Sequence, residues 1–182
     1  MAVTLGTSSG FVTVAPSANP SAGGQPDIDG SSVVTKDTSP STPMRITSIG
    51  WYKGASTNTA NWQIALYSDN AGVADVRLEI EATNSTSSAG WVSRSVNWTI
   101  SPSTAYWLGL QMDAHVGVTG IGRDTSGGAG FDIRTGQTAL NNPYGGGAVA
   151  QPAGLAAIYA LVEPLFSPAW GAKATTIIGG VF

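Results

Sequence analysis

Few residues in this chain have the types and spacing that chemistry needs. His115 is the only histidine among 182 residues. Asp113 lies two positions earlier, on the same face if the backbone is extended, which suits an Asp–His pair in acid–base work. Such a pair would need a nucleophile from the many Ser and Thr residues, and no G-x-S-x-G elbow lies nearby. Glu79 and Glu81 also share a strand face, about 7 Å apart by strand rise, a distance at which two carboxyls can flank a glycosidic bond. They alternate with Leu78 and Ile80, however, as surface acids do on a half-buried strand. The stretch "DIDG", residues 27–30, is like the start of a calcium loop but lacks the third oxygen position and the closing Glu. No cysteine is present, so there is no disulfide, thiolate metal site or thiol nucleophile. No catalytic set, no metal and no cofactor is assigned, and the expectation is a non-enzymatic protein.

The aromatic residues suggest binding. Six Trp residues occur in a chain with only 10% charged residues. Trp62 and Trp98 fall on inward phases and read as core. Trp107 falls on the opposite phase of its strand, with Gln111 and Asp113, and Trp91 opens its strand beside a loop. An exposed indole beside amide and carboxylate groups can stack on a sugar ring and bond its hydroxyls. Trp91, Trp107, Gln111 and Asp113 therefore form the candidate ligand face. The same face would serve as a subunit interface, or be covered by the chain's own arm or tail, because exposed apolar surface usually marks a contact.

Composition narrows the class. The net charge is -3 and no basic cluster occurs, which argues against nucleic acid as a partner. No apolar run reaches 18 residues, so no membrane-spanning helix is expected. The start "MAVTLGTSSG" lacks the basic residues and long apolar segment of a signal peptide, and the chain reads as made in a host cytoplasm. The 24 Gly, 10 Pro and abundant Ser and Thr suit many short strands joined by turns. A charge content well below the roughly 25% of ordinary soluble domains suits a surface partly covered by partners.

The elements that must position these residues follow from period-two alternation. Residues 1–32, rich in Pro, Ser and Gly, read as an N-terminal arm with short strands at most. Residues 33–163 read as a β-sandwich domain and 164–182 as an apolar C-terminal tail. In "MRITSIGWYKG" the apolar phase switches between Ile46 and Ile49, which a bulge near Thr47 and Ser48 would produce. "NWQIALYS" puts Trp62, Ile64 and Leu66 inward. "SDNAG" then turns, with Asp69 and Asn70 tolerating left-handed backbone and Gly72 preferring it. The next strand would put Val76, Leu78 and Ile80 inward and Asp75, Arg77, Glu79 and Glu81 outward. Val92, Val96, Trp98 and Ile100 are inward on the following strand, and Tyr106, Leu108, Leu110 and Met112 on the one after. "FDIR" and "LAAIYALVE" read as later strands. The fold class is all-β, an antiparallel jelly-roll-like sandwich, with a closed barrel as the alternative.

The order "ITSIGWY", "IALYSDNAG", a variable loop and "GWVSRSVNWTISPSTAYWLGL" resembles a jelly-roll sandwich domain. That domain is found in phage virion proteins and in bacterial surface or carbohydrate-associated proteins. The resemblance covers roughly residues 44–112, and its motifs are structural. Together with the chain ends it implies a virion structural protein, a capsid decoration or cement protein or a head or tail appendage. Its partners would be capsid or tail proteins and further copies of itself, a homotrimer by resemblance. The assembly anchor would be the tail, through Trp170, Ile177, Ile178, Val181 and Phe182, whose burial would contribute about 1.5–3 kcal/mol for each large apolar side chain. A glycan-binding receptor or adhesion module is the second reading.

Overall fold

Period-two alternation becomes two packed sheets. The structure, a computed structural model, describes residues 3–20, 30–53, 60–85, 90–113, 121–124, 131–145, 149–151 and 154–165. The strands are β1 (Gly10–Val12), β2 (Ser31–Thr38), β3 (Met44–Lys53), β4 (Ala60–Asn70), β5 (Val73–Ser85) and β6 (Gly90–Ile100). They continue as β7 (Ala105–Asp113), β8 (Arg123–Asp124), β9 (Phe131–Thr135), β10 (Val149–Gln151), β11 (Leu155–Ala156) and β12 (Ile158–Pro164). No helix occurs among the described residues. One sheet has the order β1-β12-β3-β6 and the other β10-β9-β2-β7-β4-β5, with β11 and β8 forming a small separate ladder.

The inward phases meet between the sheets as the alternation requires. Trp62, Ile64 and Leu66 of β4 pack with Leu108, Leu110 and Met112 of β7 in one core, each at most 1% exposed. From the facing sheet, Met44, Ile46, Ile49 and Trp51 of β3 all reach the same core. Strict alternation forbids that, and the pairing of β3 with β6 shifts register between Ile46 and Ser48, the bulge expected there. Val92 and Val96 of β6 pack against the core, and Trp98 and Ile100 are buried in it.

The strand β5 departs from the expectation. Val76, Leu78 and Ile80 are exposed by 47%, 47% and 38%, not buried. The pairing with β4 shifts register on both sides of Tyr67, which resets the phase. Beyond these shifts Glu79 lies opposite Leu66 and Glu81 opposite Ile64, whereas Ile80 lies opposite Ala65. Directly opposed residues project to the same face. The acids therefore share the face of the core residues, but on an edge strand, where solvent reaches them.

Residues 3–20 are more closely tied to the sandwich than the word arm implies. Gly10–Val12 pairs with β12, in parallel, as the end strand of the four-stranded sheet. The Phe11 amide donates to Asp37 Oδ2 at 2.8 Å. The buried Ser9 hydroxyl donates toward the Ala156 and Ile158 carbonyls at 2.7 and 3.1 Å. At the other end β12 runs to Pro164, one residue beyond the expected domain limit. Residues 166–182 lie outside the described residues.

The hairpin joining β4 and β5 turns at Ala71 and Gly72, with φ of 52° and 90°. Gly72 is left-handed as expected, but the other left-handed position is Ala71, while Asp69 and Asn70 remain in β4. Two successive positive φ values define a primed hairpin turn, for which Asn-Gly is favoured. Alanine pays a steric penalty there. Ala71→Asn is expected to stabilise the protein by on the order of 1 kcal/mol. An upward shift of the urea midpoint with an unchanged m-value would show it; a fall would mean that the turn takes another form.

Candidate functional site

The face nominated from sequence lies on the outer side of the six-stranded sheet. Trp107 and Gln111 project there from β7, but neither is open to a ligand. Trp107 is 5% exposed and Gln111 1%. Trp107 packs in a second cluster with Val34, Ala65, Tyr67, Leu140 and Tyr144. Its indole N–H donates to Asp69 Oδ1 at 2.8 Å, and the Lys36 ammonium stands 5.8 Å from its ring centroid. Lys36 also pairs with that oxygen at 2.8 Å. Burial pushes the Asp69 carboxyl up, but the bonds from Lys36, Trp107 and the Gly72 amide outweigh it and hold the group below its ordinary range. Gln111 donates to the Gln137 carbonyl at 3.1 Å. Asp113, half-buried, ends β7 opposite Asn61. Trp107 is thus not an exposed platform. The reason is tertiary: residues 136–145 cross this face and cover it.

That strap is held at many points. The Tyr67 hydroxyl donates to the Asn141 carbonyl at 2.9 Å, and the Leu140 amide to Gln63 Oε1 at 2.7 Å. Arg77 and Arg134 donate to the Leu140 and Tyr144 carbonyls. The Tyr144 ring meets Tyr67 edge-on at 5.3 Å, and its hydroxyl bonds Ser32 at 3.1 Å. Burial keeps both phenols protonated, pushing Tyr144 up to about 12 and Tyr67 still further.

Trp91 lies on the outer side of the other sheet, partly exposed. It meets Tyr52 at 5.4 Å and Tyr159 at 5.5 Å, both edge-on. Tyr159 lies over Gly50, where an added Cβ would stand 2.3 Å from its ring and force the ring to move. The Trp91 N–H donates to the Ala18 carbonyl at 3.2 Å. The indole therefore fastens the N-terminal segment to the sandwich, which removes the polar handle a sugar would use. A cavity of about 250 Å³ opens among residues 7–8 and 14–20, and its lining has no titratable side chain. The structure does not bring Trp91 together with Trp107, Gln111 and Asp113, because they lie on outer faces of different sheets.

Among the described residues, the side of the sandwich formed by β5 and β6, each the end strand of its sheet, is left uncovered. Val73, Val76, Leu78 and Ile80 are 38–49% exposed along β5. Glu81 reaches across to Arg94 of β6 at 3.5 Å. Exposed pairs of this kind contribute little. The start of the β5 edge is closed by the strap: the Arg77 amide donates to Asn142 Oδ1 at 3.0 Å and the Tyr144 amide to the Asp75 carbonyl at 2.9 Å. Past residue 77 no described strand pairs with the outer edge of β5.

Sequence reading missed this edge because alternation marks two faces without saying which is covered. Its one visible signal was a long strand whose apolar face and acidic face were equally regular. Of the other nominated residues, His115, Trp170, Ile177, Ile178, Val181 and Phe182 lie outside the described residues, as do residues 27–29. No group of three or more His, Cys, Asp or Glu gathers among the described residues to hold a metal. Comparisons with protein-family models, curated proteins and solved structures found no match.

Proposed function

We propose that this chain is a non-enzymatic structural protein of a phage virion, a capsid decoration or cement protein or a head or tail appendage. It acts by assembly through a jelly-roll sandwich and its terminal segments, with a homotrimer as the preferred state. One observation carries the assembly reading: past the strap, the edge strand presents Leu78 and Ile80 to solvent in a chain of low charge. Unpaired, apolar edges are what strand-adding partners use, and a free monomer normally blunts them. The virion setting rests on the resemblance of residues 44–112. The glycan-binding reading is weaker, since Trp107 is buried and the Trp91 N–H is already bonded.

Light scattering behind a sizing column tests the reading. The full chain is expected to run as a stable oligomer. Removing residues 171–182, or Ile80→Lys on the exposed edge, is expected to loosen it at least tenfold in dissociation constant while the fold is retained. A full-length monomer that also fails to bind a preformed capsid or tail would sink the assembly reading.

A further inference from the structure

We infer that the open part of the β5 edge, residues 78–85, is the seat for the apolar segment 174–182 of a second copy of this chain, added as an antiparallel strand. This deepens the assembly reading and rests on it. Two independent observations meet here. Among the described residues no strand pairs with the outer edge beside Leu78 and Ile80, which are 47% and 38% exposed. The segment "ATTIIGGVF" carries Ile177, Ile178, Val181 and Phe182 with no charged side chain, Lys173 being the last. In strand addition the backbone supplies hydrogen bonds and alternate side chains fill apolar positions. The apolar content suits exposed Leu78 and Ile80, and the segment brings no acidic side chain beside Glu79 and Glu81.

Geometry selects a second copy over the chain's own segment. Pro164 pairs with Met44, and Met44 with Ile100, so the chain leaves the four-stranded sheet at the Ile100 end. The Leu165 amide is bonded there, to the Pro43 carbonyl. Ile100 is joined by a short turn to Ala105, and Ser68 lies opposite Tyr106, so the start of β5 at Val73 is at this same end. The far end of β5, at Ser85, is about 40 Å away along the strand. Residues 166–174 span at most about 30 Å when fully extended. The chain's own segment therefore cannot set residue 174 beside residue 85 and pair antiparallel along the whole open edge. Every pairing in the six-stranded sheet is antiparallel. A neighbouring copy meets that polarity freely. Such a contact is head-to-tail, and it closes into a ring when its rotation permits, as a trimer would.

Because the chain has no cysteine, introduced thiols report contacts without ambiguity. Leu78→Cys, Ile80→Cys and Ala82→Cys chains would each be mixed with Ile178→Cys chains and mildly oxidised, with Ser95→Cys on the exposed face of β6 as the collision control. At least one β5 variant is expected to give mixed covalent dimers tenfold or more above the control, since a disulfide needs Cα atoms within about 7 Å. An intramolecular loop in the Ile80→Cys/Ile178→Cys double variant would make the chain's own segment the occupant and overturn the inference. So would a dominant link between two Ile80→Cys chains, which would place β5 against β5. A stable oligomer by light scattering with no β5 link would leave assembly standing and remove this seat. A monomer with no link would remove both.

Discussion

Trp62→Ala is expected to cost about 3–5 kcal/mol, a large part of the stability of a domain this size. Trp62 comes from β4 and Trp51 from β3, so their contact joins the two sheets at the centre of the core. The ring centroids are 5.1 Å apart with planes at 35°, and both residues are at most 1% exposed. Removing the indole deletes buried apolar surface and leaves a cavity against a rigid partner. Trp62→Phe separates the causes. The Trp62 N–H is buried with no partner among the described residues, so its loss forfeits no hydrogen bond. Phe is expected to cost less than about 2 kcal/mol. Urea unfolding of both variants measures this. An alanine variant within 1 kcal/mol of the parent, on the scale of ordinary surface changes, would mean that the pair does not hold the sheets together.

The second large effect is an alkaline limit set by the strap. An unfolded tyrosine ionises near pH 10. Burial first, then the nearby Asp132 charge, raise Tyr144 in the fold to about 12, against opposing contributions from Ser32 and Arg134. Between those values the unfolded chain loses a proton that the folded chain keeps. The contribution is complete below pH 10 and is lost as pH rises through 12. At about 1.4 kcal/mol per unit, Tyr144 alone accounts for on the order of 2–3 kcal/mol. Tyr67 acts in the same direction. Tyr144→Phe is expected to cost about 1 kcal/mol at neutral pH, through the lost Ser32 bond, and to flatten the decline from pH 10 to 12. Tyr144→Ala also removes the ring against Tyr67 and is expected to cost about 3–5 kcal/mol at any pH. An unchanged alkaline slope in the phenylalanine variant would show that the phenol titrates in water and that the strap is not seated.

These two sites differ in how far they were legible beforehand. Trp62 was readable, because alternation over "NWQIALYS" places Trp62, Ile64 and Leu66 on one phase, and a phase that apolar has to be buried. The bulge near Thr47 was readable too, since Met44 and Trp51 could not both face inward without an inserted residue. Tyr144 was not readable. It sits in "TGQTALNNPYGGG", which has no period, and it is buried because Ser32, Tyr67 and Arg134 from three strands happen to surround it. The expectation of an exposed Trp107 failed for the same reason, since the covering strap follows it by thirty residues in sequence and is placed only by tertiary contacts.

By itself, then, the sequence determined the class of structure and most of the inner core. Strand period and turn residues are local properties, and a face carrying Trp, Ile and Leu at every second position has a single stable destination. Tertiary structure alone decided what each outer face meets. Strand order put β5 at an edge, and two register shifts beside Tyr67 reset its phase. Val76, Leu78 and Ile80 thereby became solvent-facing, although their spacing is that of core residues. Burial depends on which strands lie alongside and what crosses above them, and neither is encoded in the residues of one strand.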